Sequence, residues 1–297
     1  FFRTSRAYTF IILVNFIHFE SIHINLLYFF HFITIGQIEY FTTFLAKEMR
    51  DISRDNNHIN SIPQVMTNNS SDFIWTAHML YDEFGYDEIN LNAGCPSGTV
   101  VSKNKGAGML ICLDSLERIL YEILSDRYIC DNHIKVSVKT RIGVETPDTW
   151  HDILDIYNKF QLEELIIHPR IRTDYYRGDI NKEAFLYAMK ESRNPVCYNG
   201  DIFTRRDFIN IHDYNPDCIM VGRGLVADPG LINVLLSDNP ETYVRNLEDD
   251  RLNMKRLHDM VYEERLKIMS GDKHAIHRMK EMWCYMEYSF ADCKKEA

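Results

Sequence analysis

From about residue 40 onward, short apolar runs alternate with stretches of helical period. Ser61–Met66, Glu88–Asn92, Lys135–Thr140, Glu164–His168, Pro195–Tyr198 and Cys218–Val221 read as strands, with Glu39–Leu45 as a weaker one. Between them, Asp72–Phe84, Ser115–Leu124, Asp148–Phe160, Lys182–Lys190 and Thr204–His212 have the pattern of amphipathic helices. Strand then helix, repeated, predicts parallel strands joined by crossover helices. Seven strands follow residue 38, and Tyr8–Val14 offers an eighth. The predicted fold is an α/β barrel of the (β/α)8 type, with an open doubly wound sheet as its competitor. The barrel is preferred because polar residues close nearly every strand: Gln64, Asn92 with Cys95, Lys139 with Arg141, His168 with Arg170, Asn199, and Arg223.

After Pro229 and Gly230 the period is helical only, over Leu231–Leu236, Pro240–Leu247, Arg251–Met269 and Ala275–Tyr288, with a turn at Ser270–Asp272. The expected organisation is an atypical N-terminal segment over 1–38, holding a would-be first strand and helix. A catalytic barrel over 39–236 and a small all-helical C-terminal domain over 240–297 follow it. Thr9–Phe19 behind Arg3 and Arg6 has the outline of a secretion signal, but no small-residue cleavage site follows. Asn15, His18, Glu20, His23, Asn25 and His31 interrupt every run long enough to span a bilayer, so no membrane segment is predicted.

The net charge of −10 argues against a nucleic-acid grip along the whole chain. The charge is uneven, however. Residues 1–244 hold 22 basic and 32 acidic side chains, whereas 245–297 hold 11 of each. Within that neutral tail Arg251, Lys255, Arg256, Arg265, Lys267, Lys273, Arg278 and Lys280 offer a basic face, for which a solvated helix surface is the plain alternative. Seven cysteines without regular spacing predict thiols in a reducing, cytoplasmic compartment. No CxxC or HExxH occurs, and His274 and His277 lack further ligands nearby in sequence, so no metal site is expected.

The candidate chemistry begins at Asn90–Leu110. A strand there runs into Gly94-Cys95-Pro96, and a proline cannot continue a ladder. Cys95 is therefore expected at a strand tip, beside a glycine- and lysine-bearing loop, where acid–base or nucleophilic chemistry can be done. A buried structural thiol is the alternative. Gly222-Arg223-Gly224 after one strand and Asn199-Gly200-Asp201 after the preceding one suggest a phosphate site, because exposed backbone N–H groups and a guanidinium suit an anion. Lys139, ending its strand, suits an anionic ring such as a reduced flavin, or simply reaches solvent. His168 stands at the next strand end, where local hydrogen bonding is the commoner role of a lone histidine.

INLNAGCPSGTVVSKNKGAGML resembles the signature of the tRNA-dihydrouridine synthases, flavoenzymes of the FMN-binding TIM-barrel class. SIPQVMTN, VSVKTRIG, LIIHPR, NPVCYNGDI and IMVGRGLVADPGL resemble further motifs of that family in the same order, over about residues 40–297. The resemblance implies an FMN barrel followed by a helical tRNA-binding domain. It implies that Cys95 is the general acid at uracil C5 and that Asn92 and Arg170 hold the flipped uracil, with Arg141 among the substrate contacts. Gln64, Lys139 and His168 would line the flavin ring. Asn199, Gly200, Asp201, Gly222, Arg223 and Gly224 would cradle its phosphate, and Arg278 and Lys280 would meet tRNA. NADPH would supply the hydride, and no protein partner is implied. The family's first-strand turn, which touches the flavin, has no counterpart in Phe1–Ile38. That departure reads as a damaged N-terminus and predicts weakened FMN affinity. Two competing readings are an FMN-barrel oxidoreductase acting on a free small molecule and an inactive tRNA-binding relic.

Overall fold

The computed structural model describes residues 11–14, 27–33, 61–237 and 239–290. The chain divides into two compact units. The first runs to Gly200 and takes in Pro216–Met220; the second comprises Asp201–Asn215 and the chain from Val221 onward.

The first unit is built on one eight-stranded sheet whose spatial order follows the sequence: β1 (Ile11–Val14), β2 (Leu27–Ile33), β3 (Ser61–Val65), β4 (Glu88–Ala93), β5 (Lys135–Arg141), β6 (Leu165–His168), β7 (Val196–Asn199) and β8 (Cys218–Met220). Strands β2 to β8 are parallel neighbours. The α/β alternation read from the sequence therefore holds from β3 onward. Two features differ at the N-terminal side. Within the expected strand Tyr8–Val14, the described part is β1, which pairs antiparallel with β2. The pattern does not predict β2, because its unbroken aromatic run has no period to separate strand from helix. Glu39–Leu45 lies outside the described residues. Cα atoms of β1 come within 8 Å of β8.

The crossover helices of this unit are α1 (Ser70–Phe84), α2 (Gly98–Val101), α3 (Leu113–Leu124), α4 (Arg127–Asp131), α5 (Trp150–Tyr157) and α6 (Lys182–Glu191). Helix α1 shows why they form. Asn69 caps it by accepting the Asp72 N–H at 3.1 Å. Phe73, Ala77, Leu80 and Phe84 then recur at helical spacing and are buried. Strands β4 to β6 are buried almost throughout, as parallel strands covered by helices require.

The second unit contains α7 (Arg205–His212), α8 (Arg223–Ala227), α9 (Leu231–Leu235), α10 (Leu247–Ile268) and α11 (Asp272–Met286). Here Pro240–Leu247 is not the helix its pattern predicts. Asn239 Oδ1 accepts the N–H groups of Glu241 and Thr242 at 3.1 and 3.3 Å, which folds the segment into a turn. Helix α10 starts only at Leu247, capped by Asn246. Arg205 donates to the carbonyls of Glu241 and Tyr243, tying that turn to α7. Arg245 spans Asp228, at 2.5 and 2.7 Å, and Asp250, at 2.8 Å, and so fixes the entry to α10. Its two carboxylate partners raise the already high pKa of its guanidinium. Among the described residues, no helix is long and apolar enough to cross a membrane.

Candidate active site

A ladder of buried amides crosses the first unit from strand to strand. Asn90 Nδ2 donates to Ser137 Oγ at 2.9 Å, Gln64 Nε2 donates to Asn90 Oδ1 at 2.7 Å, and Asn92 Nδ2 donates to Gln64 Oε1 at 2.7 Å. Register makes this possible: Gln64 pairs with Asn90, Asn90 with Ser137, and Asn92 with Lys139. Residues two apart on a strand share a face, so Asn90 and Asn92 point the same way. The sequence reading singled out Gln64 and Asn92 but not Asn90 or Ser137. Their same-face spacing was the available signal.

The last amide fixes the loop that carries the thiol. Asn92 Oδ1 accepts the N–H of Gly94 at 3.0 Å and the N–H of Cys95 at 2.9 Å. The Cys95 carbonyl accepts Ala107 N–H at 3.0 Å, pinning the following loop back onto it. Gly106, with φ of 56°, makes that return. A Cβ there would lie 2.8 Å from both Cβ and O of Cys95, so the approach requires glycine.

Cys95 is half-buried, and two cations reach it. Burial lifts its thiol above the ordinary value of 9.0; the backbone of Ser97, Arg141 and Lys139 pull the other way without overturning the rise. The sulfur is thus a neutral thiol at physiological pH, with positive charge nearby for the thiolate it leaves on giving up a proton. Lys139 is 8 % exposed and stands opposite Asn92 in the register of β4 and β5.

Arg141, only 1 % exposed, is committed to the protein itself. Its Nε donates to Gly94 O at 3.0 Å, Nη1 to Ile171 O at 2.8 Å and Nη2 to Tyr175 O at 2.6 Å. One guanidinium therefore joins the thiol loop to the loop after β6. Burial lowers its pKa to about 10, which still leaves it charged at neutral pH. The Tyr176 ring lies 5.5 Å from its carbon.

His168 and Arg170 stand at the end of β6, both buried. Arg170 Nη1 lies 3.3 Å from His168 Nε2, and Nη2 donates to Gly178 O at 2.5 Å. A guanidinium has no lone pair to offer, so His168 Nε2 is the acceptor of that contact. Tyr176, absent from the sequence reading, stacks on His168 with centroids 6.0 Å apart. A cavity of about 720 Å³ opens along Thr173, Asp174, Tyr175, Arg177 and Gly178. Two of the residues lining it, Tyr175 and Gly178, offer the carbonyls gripped by Arg141 and Arg170. The structure thus gathers Gln64, Asn92, Cys95, Lys139, Arg141, His168 and Arg170 in the first unit, at or beyond the C-terminal ends of β3 to β6.

The residues expected around a phosphate fall in both units. Asn199 closes β7 in the first unit, where its Nδ2 donates to Met220 O at 3.0 Å, and Gly200 follows it. Asp201, Gly222, Arg223 and Gly224 belong to the second unit. There Arg223 Nη2 meets Asp201 Oδ1 at 2.5 Å, and its guanidinium lies over the Phe203 ring. A Cβ on Gly224 would sit 1.8 Å from Ile202 O, whereas one on Gly222 meets nothing within 4 Å. Arg278 and Lys280 lie on α11, the former half-buried and the latter exposed. Part of the basic face is neutralised on α10, where Lys255 pairs with Asp259 and Lys267 with Glu264 at 2.5 Å.

Residues 34–296 match the dihydrouridine synthase family (Dus). The chain is 30% identical over 154 residues to the probable tRNA-dihydrouridine synthase of Staphylococcus aureus strain Mu50, covering 50% of this chain and 45% of that protein. It is 31% identical over 154 residues to the probable tRNA-dihydrouridine synthase 2 of Bacillus subtilis strain 168, with the same coverage. The chain spans about half the length of the curated relatives it matches.

Proposed function

Since this chain belongs to the dihydrouridine synthase family, we propose that it reduces the C5–C6 bond of uridine in tRNA, with Cys95 as the general acid. The observation that carries this reading is the thiol itself: held by Asn92, kept protonated by burial, and flanked by Lys139 and Arg141. Hydride arriving at C6 of a uracil places negative charge on C5 and O4. The Cys95 S–H then donates its proton to C5, forming the new C–H bond and leaving a thiolate, which solvent reprotonates. Lys139 and Arg141 stabilise that thiolate while it lasts. Asn92 aims the sulfur through its two backbone contacts. Arg170 and His168 offer polar edges for the base, and Tyr176 supplies a ring beside them.

The donor set also suits FMN. Gln64, Asn92, Lys139 and His168 present amides, an ammonium and an imidazole to one region, as a ring with carbonyls, ring nitrogens and an anionic reduced state requires. Bound there, FMN would supply the hydride, with NADPH as its reductant. In the second unit, Gly222 leaves open backbone beside Arg223, which suits a phosphate. Asp201 orients that guanidinium. The proposed architecture is a closed (β/α)8 barrel with a helical tRNA-binding region, supported by the parallel run of β2 to β8, by the approach of β1 to β8, and by the helices α10 and α11.

The target base must leave its stack to reach the thiol, at a cost of a few kcal/mol, which suits an exposed tRNA loop. The test is Cys95→Ala, assayed by mass spectrometry of tRNA nucleosides after incubation with FMN and NADPH. The variant is expected to keep FMN and tRNA binding and to lose dihydrouridine formation by about 10²–10⁴-fold. Undiminished turnover would remove Cys95 from the reaction.

A further inference from the structure

A second cluster of reactive side chains lies inside the first unit, apart from the thiol loop. Glu164 immediately precedes β6, Cys197 lies on β7 and Cys218 on β8. Cys197 and Cys218 are register partners on adjacent parallel strands. The carboxylate and the two sulfurs all lie within 4.8 Å of one another. Both cysteines are buried, and Ile62, Ile166 and Met220 pack with them in one apolar cluster.

Buried cysteines alone would need no explanation, since the thiol behaves as a small hydrophobe. The carboxylate beside them does. The charged groups facing the cluster are Glu88, Glu163 and Asp217 around Glu164, and Lys139 beside Cys197. The Cys218 thiol is hydrogen-bonded to the Glu164 carboxyl group. Two thiols and a carboxyl within 4.8 Å of one another in an apolar wall make a compact set of three metal-ligand atoms. Such a group is stabilised by protons or by a cation.

We propose that Glu164, Cys197 and Cys218 bind a zinc ion that joins β6, β7 and β8 from within the sheet. Thiolate ligands select a soft or borderline ion over magnesium or calcium. Zinc takes sulfur at about 2.3 Å and carboxylate oxygen at about 2.0–2.2 Å in a tetrahedron. From those bond lengths, ligand atoms of such a site stand roughly 3.5–4 Å apart, and these three donors already lie within 4.8 Å of one another. The fourth position is left to water. Binding displaces the two thiol protons and any proton on Glu164 to solvent, with no change of oxidation state.

The test uses the full chain carrying Cys112→Ser, Cys130→Ser, Cys284→Ser and Cys293→Ser, which removes the other thiols except Cys95. The protein is expressed with added zinc, dialysed, and measured by elemental analysis and zinc X-ray absorption. About one retained zinc per chain is expected, with about two sulfur neighbours at about 2.3 Å. Glu164→Gln and, separately, Cys218→Ala are expected to lower zinc retention at least tenfold while circular dichroism stays unchanged. X-ray absorption of the parent protein decides the matter even where a variant fails to fold. Zinc well below stoichiometry, a shell without sulfur, retention undiminished in folded variants, or a Cys197–Cys218 disulfide would each overturn the proposal.

Discussion

Arg141→Met isolates what the buried guanidinium does. Methionine keeps most of the aliphatic stem's volume and deletes all three donors. The lost bonds run to the carbonyls of Gly94, Ile171 and Tyr175. A hydrogen bond from a charged donor contributes about 1.5–3 kcal/mol net. The three are not equal. Tyr175 is 44 % exposed, so its carbonyl recovers water and counts at the low end. The bond to Gly94 is buried, and that carbonyl is left without a donor. The expected loss of folding stability is about 3–5 kcal/mol, less than the sum of three such bonds because removing the guanidinium also removes the cost of burying its charge. Urea unfolding followed by circular dichroism measures it. Arg141→Lys restores the charge with one donor point instead of a fork, so it falls between wild type and Arg141→Met. The thiol loop also loses its tie to the loop after β6, so dihydrouridine formation falls with stability, and limited proteolysis near residues 171–178 accelerates. A loss below about 1 kcal/mol, with proteolysis unchanged, would refute the clamp.

Turnover should stay flat as pH rises through neutrality and fall only above the ordinary thiol value of 9.0, because Cys95 must carry its proton to donate it and burial raises its pKa. Lys139→Met removes a charge that lowers that pKa, so it should move the falling limb to still higher pH; a shift to lower pH would contradict the assignment. Gly106→Ala forces a Cβ against Cys95 at a positive φ, so FMN-dependent reduction should drop at least tenfold with tRNA affinity intact, and unchanged activity would show the loop to be plastic. Arg278→Glu with Lys280→Glu should weaken tRNA binding and reduce the salt slope by roughly 2, as measured by fluorescence anisotropy over a salt series; an unaltered slope would exclude this face.

Strands β3 to β8 were legible from the chain because buried parallel strands must be short and apolar, and turn residues punctuate them. Polar residues at those strand ends were legible for the same reason: Gln64, Asn92, Lys139 and His168 interrupt runs that otherwise exclude them. Their partners were harder to read. Arg141 was read as a substrate contact, and its bonds to backbone carbonyls from two loops were invisible because only tertiary structure brings those loops together. Cys197 and Cys218 are 21 positions apart and fit no metal motif. Their meeting depends on the pairing of β7 with β8, which no local spacing encodes. At Pro240–Leu247 the apolar spacing was helical, but the Asn239 side chain captured the backbone first.

The path of the chain between β7 and β8 bears on how the protein is made. Asp201–Asn215 leaves the ribosome directly after β7, yet Arg205 reaches Tyr243, which is synthesised 38 residues later. Strand β8 emerges between those two events. The nascent sheet therefore gains its last parallel strand while the intervening helix still waits for its partners. A stalled or truncated product would display that helix unsatisfied, a natural handle for chaperones and proteases.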